Sequence, residues 1–385
     1  MKRFALALFA LLLVLAPVSG CAASAMPPFR AGSVAHGKLN QAGGQWILEL
    51  EGTPEERGKA AGTLVGEQVR WLLPRFLKKV ASIDRLSPFQ KEMVAAMAAE
   101  VPTPHFKQLN ALAEAAGVDR TTLFAVNLAP EALSALGCSC LATLPERAGD
   151  GKVRLARNLD WQGGELLTGS ALIVIESGSG HRFASVTWPG LVSVVTGMND
   201  AGLAVADLMA LGTGGGKQPH PGVPVLFVLR SLLEQTDTVD SALTSLQKAQ
   251  RTIPQNYALA DSSGAKVVET SATTFRIRPS TDGLATITNY WREEQGGAKD
   301  QRYGQMLRVA GKEKLGVGQL QGILAGAALG DMNVQAVVLE PQSRTVYVAY
   351  GKPPVAGGTW RTIDLSPWLA TPAGESPAGN GTTVK

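Results

Sequence analysis

Residues Gly137–Thr143 read Gly-Cys-Ser-Cys-Leu-Ala-Thr, and residues Val153–Trp161 read Val-Arg-Leu-Ala-Arg-Asn-Leu-Asp-Trp. Both runs have the short, apolar character of β-strands, and Gly149–Gly151 between them reads Gly-Asp-Gly, which favours a tight turn. We therefore predict a β-hairpin whose open end brings Cys138 close to Asp160. A thiol next to a carboxylate in an otherwise apolar region leads to the hypothesis that Cys138 is a latent nucleophile, unmasked by a cut before it.

The composition is that of an ordinary globular protein. The 385 residues are 45% hydrophobic and 18% charged, which is enough chain for a large core. The formal charge is +4, and subtracting Lys2 and Arg3 of the N-terminal segment leaves +2. No basic stripe interleaved with aromatic residues is present, so a nucleic-acid partner is excluded.

The N-terminus has the pattern of a secretory signal. Lys2 and Arg3 precede the apolar run Phe4–Ala16. The next residues, Val18–Cys21, read Val-Ser-Gly-Cys and resemble the lipobox of bacterial lipoproteins, in which the Cys carries the lipid. An ordinary signal cut near residues 22–25 is the alternative.

The lipobox pattern predicts a signal peptide over residues 1–20, lipidation at Cys21 and a tether over 21–44. Ala22 after the Cys resembles the form sorted to the outer membrane, so we expect an envelope protein facing the periplasm. No later stretch is apolar for long enough to span a membrane.

The two remaining thiols are candidates for catalysis. Cys138 and Cys140 are too close in sequence for an unstrained disulfide. The chain has four histidines, none of them nearby in sequence, so a zinc site is improbable and we predict no metal. Exported proteins seldom keep free thiols without a use for them.

Residues 45–137 are predicted to form a mostly helical segment after one strand at 45–52. Thr53 can cap a helix that has Pro54 in its first turn. Gly58 and Gly62 lie one turn apart on that helix and favour close packing of a second helix. Further helices are expected at 88–100, 104–116 and 120–135.

Residues 138–371 are rich in strands. We predict helices at 222–234, 237–249, 300–311 and 316–327, and strands at 138–144, 152–159, 170–177, 182–188, 191–197, 202–208, 254–261, 265–271, 274–279, 284–289, 333–340 and 344–350. Blocks of strands broken by pairs of helices predict an α+β fold with antiparallel sheets. Residues 372–385 have the composition of a disordered tail, Gly212–Lys217 lacks the Ser/Thr of a phosphate loop, and His220 is expected in a solvent-exposed loop.

Several motifs resemble, in order, those of N-terminal-nucleophile hydrolases related to acyl-coenzyme A:6-aminopenicillanic acid acyltransferase, and more distantly of bile-salt hydrolase and acid ceramidase. They are Gly-Cys-Ser-Cys at 137–140, Arg-Asn-Leu-Asp at 157–160, Gly-Met-Asn-Asp-Ala-Gly-Leu at 197–203, Thr-Asn-Tyr at 288–290 and Gln-Arg-Tyr at 301–303. The opening Glu-Gly-Thr-Pro-Glu-Glu-Arg-Gly at 51–58 is similar as well. The resemblance spans residues 45–352 and implies a four-layer αββα sandwich, with 45–137 and 138–371 forming one domain.

The resemblance also implies roles for individual residues. Cleavage of the Gly137–Cys138 bond would free an α-amine, whose pKa lies near that of a thiol, to act as the base for Cys138. Arg157 would favour the thiolate, and Asp160 would hold the amine. Asn199 and Asn289 are expected to stabilise the oxyanion or position substrate, and Arg302 to support Asp160 or the intermediate.

Each role has a plainer alternative. Cys138 could be a small buried apolar residue, Cys140 could be the nucleophile, and Arg157 with Asp160 could form a surface ion pair. Asn199 could be only a turn residue and Asn289 only structural. Trp161 and Trp188 could line an acyl pocket or pack in the core.

The sequence therefore predicts a self-processing enzyme that hydrolyses, or transfers the acyl group of, a linear amide through a thioester on Cys138, with no cofactor. The substrate would be a small N-acyl amide. The alternative is a non-catalytic envelope lipoprotein that keeps the fold as a binding module. Fold resemblance does not select among substrates.

Overall fold

The structure, a computed structural model, describes residues 25–81, 85–132, 136–162, 164–211, 221–293 and 300–369. The predicted signal peptide 1–20, the lipidation site Cys21, the loop Gly212–Lys217, His220 and the predicted tail 372–385 lie outside these ranges. Predictions about them remain predictions.

Two large β-sheets form the centre of the molecule. Ten strands build the first sheet in the order β1-β2-β3-β6-β7-β8-β9-β10-β11-β12, and six build the second in the order β13-β4-β5-β14-β15-β16. In chain order the strands are β1 Gly32–Val34, β2 Gly37–Ala42, β3 Gln45–Glu51, β4 Leu136–Thr143, β5 Arg154–Trp161, β6 Leu172–Ser177, β7 Phe183–Thr187, β8 Thr196–Asn199, β9 Ala204–Met209, β10 Gln255–Ala260, β11 Ala265–Thr270, β12 Phe275–Arg278, β13 Leu284–Thr288, β14 Asn333–Glu340, β15 Thr345–Ala349 and β16 Trp360–Asp364.

Helices cover the outer faces of both sheets. The helices are α1 Pro54–Ala81, α2 Pro88–Ala98, α3 Thr103–Ala116, α4 Arg120–Asn127, α5 Ala129–Ala132, α6 Gly164–Thr168, α7 Val225–Gln235, α8 Val239–Lys248, α9 Gln301–Ala310, α10 Val317–Ala327 and α11 Ser366–Leu369. Helices α1, α7 and α8 pack on strands of the ten-stranded sheet, and α9 and α10 pack on the six-stranded sheet.

The two sheets face each other across the main core. Alternate residues of β4 and β5 (Cys138, Cys140, Leu155 and Leu159) meet small residues of β9 and β10 such as Ala206 and Ala258 there. This layer order, helix, sheet, sheet, helix, confirms the predicted αββα sandwich. Each sheet packs against the other sheet on one face and against helices on the other face. Whole strands, such as β5 and β14, are buried for this reason.

The N-terminal helices follow the predicted local rules. Thr53 and Glu56 cap α1 reciprocally, since Glu56 N donates to Thr53 Oγ1 at 3.3 Å and Thr53 N donates to Glu56 Oε2 at 2.8 Å. A Cβ on Gly58 would lie 2.2 Å from Gln108 O, and one on Gly62 would lie 2.8 Å from Leu112 O. The two glycines therefore allow α3 to pack against α1 at close range, as predicted.

Three elements differ from the sequence prediction. Residues 32–42 of the predicted tether form β1 and β2, which pair with β3 and extend the sheet. The expected helix over 120–135 ends at Asn127 and is followed by the separate short helix α5, which contains Pro130, a residue with no N–H to continue the hydrogen bonds of α4. Strand β16 was not predicted, and it pairs with β15 at the end of the six-stranded sheet.

None of the helices within the described ranges is both long and apolar enough to cross a bilayer.

Candidate active site

The β4–β5 hairpin places Cys138 at the centre of the molecule. The two strands pair antiparallel with Gly137 opposite Asp160, Cys138 opposite Leu159 and Cys140 opposite Arg157. The predicted hairpin is thus confirmed, including the proximity of Cys138 and Asp160 at its open end. The side chain of Cys138 points between the two sheets, and the residue is 1% exposed.

Arg157 lies against the thiol. Its Nη2 is 3.6 Å from Cys138 Sγ. Burial raises the pKa of the Cys138 thiol to about 12, and the positive charge of Arg157 offsets only part of this rise. Burial thus favours the neutral thiol and shields it from water.

Asp207 of β9 is the buried counterion of Arg157. The Arg157 Nη2 donates to Asp207 Oδ1 at 3.2 Å and to the Asp207 carbonyl at 3.0 Å, and its Nη1 donates to Thr196 Oγ1 at 2.8 Å. Gln255 Nε2 donates to the other carboxylate oxygen at 2.7 Å. Desolvation raises the pKa of Asp207 to about 6, so this carboxylate titrates close to neutral pH.

Asn289 and Arg302 hold the backbone of Cys138. The Cys138 N–H donates to Asn289 Oδ1 at 2.6 Å, and Arg302 Nη1 donates to the Cys138 carbonyl at 3.1 Å. Arg302 Nη2 also donates to Asn289 Oδ1 at 2.9 Å. Asn289 donates its own amide to Met209 O at 2.9 Å, so toward Cys138 it presents an acceptor and not a donor.

Arg302 is oriented by two acidic residues. Asp300 accepts from its Nε at 3.1 Å and from its Nη2 at 3.0 Å, and Asp300 also caps α9, on which Arg302 lies. The Nη1 of Arg302 is 3.6 Å from Asp160 Oδ2. The expected support of Asp160 by Arg302 is therefore present, together with a direct contact to the nucleophile residue.

Asp160 is fully buried, and only one of its two carboxylate oxygens accepts hydrogen bonds. Its Oδ1 accepts from Asn333 Nδ2 at 2.9 Å and from Leu329 N at 3.2 Å. Its Oδ2 has no hydrogen-bond partner among the described residues, and desolvation raises the pKa of this carboxyl. One carboxylate oxygen thus has Arg302 nearby at 3.6 Å and can still accept a hydrogen bond.

Gly137 is fixed by the space around it. A Cβ at this position would lie 2.6 Å from Leu329 Cδ1 and 3.3 Å from Asp160 Cβ. A larger residue would displace the partly exposed Leu329 side chain and crowd Asp160, so glycine suits this position.

The structure distinguishes the two thiols. Both are buried and point to the same side of β4, and burial raises the pKa of Cys140 to about 12 as well. The side-chain contact from Arg157 goes to Cys138, and the backbone clamp of Asn289 and Arg302 also encloses Cys138. The geometry favours Cys138 over Cys140.

Asn199 is the predicted site residue that the structure does not bring to the thiol. Its amide donates to Leu233 O at 3.0 Å and Thr236 O at 2.7 Å at the end of α7, and its Oδ1 accepts from Leu203 N at 2.8 Å. Met198 faces the main core, so its neighbour Asn199 faces the opposite side of the sheet. The predicted oxyanion role is corrected to that of a turn residue that also caps α7.

The two tryptophans considered for an acyl pocket pack in the core. Trp161 meets Phe76 edge-on with ring centroids 4.9 Å apart. The Trp188 indole donates to Leu167 O at 2.8 Å, and both residues are 3% exposed.

Sequence reasoning missed Asp207, Asp300 and Asn333. Asp207 could have been noticed as the single charge in the strand Ala-Val-Ala-Asp-Leu-Met, since a charge in a fully buried strand needs a partner. Nothing in the local sequence marks Asn333. Among the described residues no cluster of three or more His, Cys, Asp or Glu side chains could hold a metal ion.

A family model described as acyl-coenzyme A:6-aminopenicillanic acid acyl-transferase matches residues 147–306. The match includes Arg157, Asp160, Asn289 and Arg302 and begins after Cys138. The matched residues make up less than half of the chain, and the match agrees with the resemblance that the order of motifs indicated.

The chain is also similar to curated proteins of two organisms. It is 26% identical over 282 residues to Protein dcd1B of Dictyostelium discoideum, covering 65% of this chain and 56% of that protein. It is 24% identical over 271 residues to an uncharacterized protein of Archaeoglobus fulgidus, covering 61% of this chain and 45% of that protein. The chain spans about half the length of these relatives.

Similar solved structures include a Caenorhabditis elegans ortholog of N-acylethanolamine-hydrolyzing acid amidase, with 18% identity and a TM-score of 0.45 over 53% of this chain and 93% of that one. Another is penicillin V acylase from Agrobacterium tumefaciens, with 17% identity and a TM-score of 0.39 over 59% of this chain and 92% of that one. The residue roles described above rest on the contacts within the chain itself.

Proposed function

We propose, from the relationship of this chain to the acyl-coenzyme A:6-aminopenicillanic acid acyl-transferase family, that it is a self-processing cysteine amidohydrolase or acyltransferase of the N-terminal-nucleophile type. One observation carries the proposal. Among the described residues, only Cys138 has its thiol, its backbone nitrogen and its backbone carbonyl all in contact with side chains of the candidate site. These side chains are Arg157, Asn289 and Arg302.

Self-cleavage begins at the Gly137–Cys138 bond. The Cys138 sulfur attacks the Gly137 carbonyl carbon, the thiol proton passes to the leaving nitrogen, and the C–N bond breaks to leave a thioester and a free α-amine on Cys138. Water then hydrolyses the thioester, which gives a Gly137 carboxylate and restores the thiol. Gly137 and its close packing hold the scissile bond for this attack.

The freed α-amine then serves as the base in turnover. Asn289 Oδ1 already accepts from this nitrogen, and the free Asp160 Oδ2 offers a second acceptor for the ammonium form. The amine takes the thiol proton as sulfur attacks the substrate amide carbon, and it returns the proton to the departing amine. Water hydrolyses the resulting thioester, or an acceptor amine takes the acyl group.

The substrate is proposed to be a linear, non-peptide N-acyl amide, and hydrolysis is preferred over transfer because an envelope location supplies water and little acyl-coenzyme A. Export and lipid attachment at Cys21 are part of the proposal and rest on the sequence of residues 2–21. Incorporation of labelled fatty acid into the wild type but not into Cys21→Ala would support the anchor, and equal labelling would refute it.

The test of the enzyme proposal is the chain composition of the purified protein. Denaturing gels and intact mass should show two chains, the second starting at Cys138, and a thiol-reactive acyl probe should label that N-terminal Cys. Cys138→Ser should remain one chain, whereas Cys140→Ser should be cut. A wild-type protein that stays whole and does not react with the probe contradicts the proposal and favours a binding module.

Turnover of a panel of N-acyl amides by the processed protein would then define the acyl and amine groups accepted. Failure of the processed protein to release amine from every member, despite probe labelling, would contradict the assignment of substrate class.

A further inference from the structure

Glu131 is a charged residue near the site for which the proposed chemistry has no role. It lies in the short helix α5, six residues before Gly137. Its Oε1 accepts from the Val225 backbone N–H at 2.7 Å and from Thr252 Oγ1 at 2.9 Å. Its Oε2 is buried and has no hydrogen-bond partner among the described residues.

Both partners of Glu131 lie on the other side of the scissile bond. Val225 is the first residue of α7, and the N–H groups of a first helical turn lack acceptors within the helix. Pro224 precedes it and supplies no side-chain cap. Glu131 therefore caps a helix of the segment 138–371 with a side chain from the segment 45–137.

The chain after the scissile bond is also held, since Asn289 and Arg302 bind the backbone of Cys138. Glu131 lies six residues before Gly137 in the sequence. Six residues reach at most about 20 Å when extended, so an anchored Glu131 limits the positions open to the Gly137 carbonyl.

We propose that Glu131 is a positioning residue for self-cleavage, which anchors the N-terminal side of the scissile segment to α7 and so presents the Gly137 carbonyl to the Cys138 thiol. The inference rests on the proposed self-cleavage and adds a residue to it. Glu131 touches no reacting atom; it acts by restricting the orientation of the peptide that is attacked, which accelerates an intramolecular step.

The hydrogen bonds of Glu131 and its negative charge can be removed by different substitutions. Burial raises the pKa of Glu131 to about 7, and both hydrogen bonds converge on one oxygen. A glutamine keeps a carbonyl oxygen at that position and can accept both bonds. Glu131→Gln thus retains the anchor without the charge, whereas Glu131→Ala removes the anchor.

The experiment measures the first-order rate at which full-length protein converts from one chain to two. Glu131→Ala should slow conversion at least about tenfold, and Glu131→Gln should stay within about twofold of wild type. Thr252→Val removes one of the two bonds and should fall between them. Glu114→Ala, which removes an exposed glutamate of α3, is the matched control and should leave the rate unchanged.

Turnover per processed site provides the second readout. After conversion is complete, Glu131→Ala should turn over substrate at the wild-type rate per titrated N-terminal Cys, with the cleavage rate alone reduced. Equal losses in cleavage, turnover and melting temperature would show a merely structural role and overturn the proposal. Wild-type cleavage rates in Glu131→Ala, or in Thr252→Val should the alanine variant not fold, would overturn it too.

The outcome also separates this inference from the function it rests on. A wild-type chain that never converts refutes self-cleavage and the role of Glu131 with it. A wild type that converts at the same rate as Glu131→Ala refutes the role of Glu131 alone.

Discussion

Two buried arginines, Arg230 and Arg157, sit on opposite faces of the ten-stranded sheet in differently organised surroundings. Every nitrogen of the Arg230 guanidinium donates: Nε to Glu234, Nη1 to Glu176 and Val192 O, and Nη2 to Gln108 and Glu176. Arg57 adds a second cation 3.0 Å from Glu176. Two cations and two carboxylates meet in this outer cluster, in which the Nε of Arg57 has an ion-pair contact but no hydrogen-bond partner among the described residues.

The cluster around Arg157 is incompletely paired. The Nε of Arg157 and the Oδ2 of Asp160 have no hydrogen-bond partner among the described residues, and one contact of Arg157 is to a neutral thiol. An arginine whose donors are all engaged by carboxylates has one stable arrangement. An arginine with donors to spare beside a nucleophile can respond when charge develops there. The comparison indicates that the outer cluster supports the fold and the inner one supports chemistry.

The largest expected effect is at the nucleophile of the inner cluster. Cys138→Ala should abolish cleavage and lower turnover by at least about ten-thousandfold, because no other group can form the thioester. Cys140→Ala, a change of the same size on the same strand face, is the control and should be cut. Gel analysis measures self-cleavage, and amine release measures turnover. Cleavage of Cys138→Ala would show that another residue is the nucleophile.

In the outer cluster the expected effect is on stability. Arg230→Met should lower the free energy of unfolding by about 3–5 kcal/mol, since Glu176 and Glu234 would lose their buried partner. Lys107→Met breaks an exposed pair with Glu55 and should cost less than about 1 kcal/mol. Denaturant titration measures the free energy of unfolding of both variants. A loss for Arg230→Met as small as that for Lys107→Met would contradict the role of the outer cluster in stability.

Arg157→Met should differ from Arg230→Met by impairing the chemistry as well as the stability of the fold, since Asp207 also loses its buried partner. We expect cleavage and turnover to fall at least about a hundredfold, because the cation that favours the thiolate is removed. The circular dichroism spectrum should stay that of the wild type. Cleavage at the wild-type rate in this variant would remove Arg157 from the chemistry and reduce it to a counterion of Asp207.

The pH dependence of stability tests the outer cluster alone. Desolvation raises the pKa of Glu234, but the charge of Arg230 and the hydrogen bond with His105 outweigh it and lower the pKa to about 2. A carboxyl with a lowered pKa contributes stability above its ordinary value of 4.5, and this contribution is lost as the pH falls toward about 2. The free energy of unfolding should therefore decline less steeply over this range in Glu234→Gln than in the wild type.

Of the variants that remove a predicted site residue, Asn199→Ala is expected to have the smallest effect on cleavage. Asn199→Ala leaves two carbonyls at the end of α7 and the N–H of Leu203 without their partner, and should destabilise the fold by about 1–3 kcal/mol. The cleavage rate per folded molecule should be unchanged. A large loss of cleavage with normal stability would restore the oxyanion role that the sequence suggested.

Local patterns were sufficient for the parts of the site that lie close together in the chain. Two apolar runs that follow each other in the chain predicted the antiparallel pair that holds Cys138 and Asp160. The connection over 144–153 contains a 3-10 helix instead of the tight turn that the sequence favoured. Asn289 and Arg302 lie more than 150 residues from Cys138. They were found through the resemblance of motifs, because no periodicity shows which distant strands become neighbours.

Other features depend on tertiary contacts that sequence patterns do not carry. Asn199 was given its oxyanion role through the resemblance of its motif, and a motif does not show which face of the sheet a side chain takes. Met198 faces the main core, so Asn199 faces α7. Strands β1 and β2 were missed because they are short and polar, and their pairing with β3 gives them their structure. Asp207 was overlooked since its partner Arg157 comes from the other sheet.

The pairing of β3 with β6 has a consequence for the lifetime of the processed protein. It is the only parallel contact among the described strands, and it joins residues on opposite sides of the proposed cut into one sheet. Loss of the first fragment would expose the full edge of β6, whose sequence Leu-Ile-Val-Ile-Glu-Ser favours aggregation. After the proposed cut, the N-terminal fragment would thus stay in place and cover the edge of β6 through β3. Separation of the two fragments should therefore lead to precipitation of the C-terminal fragment.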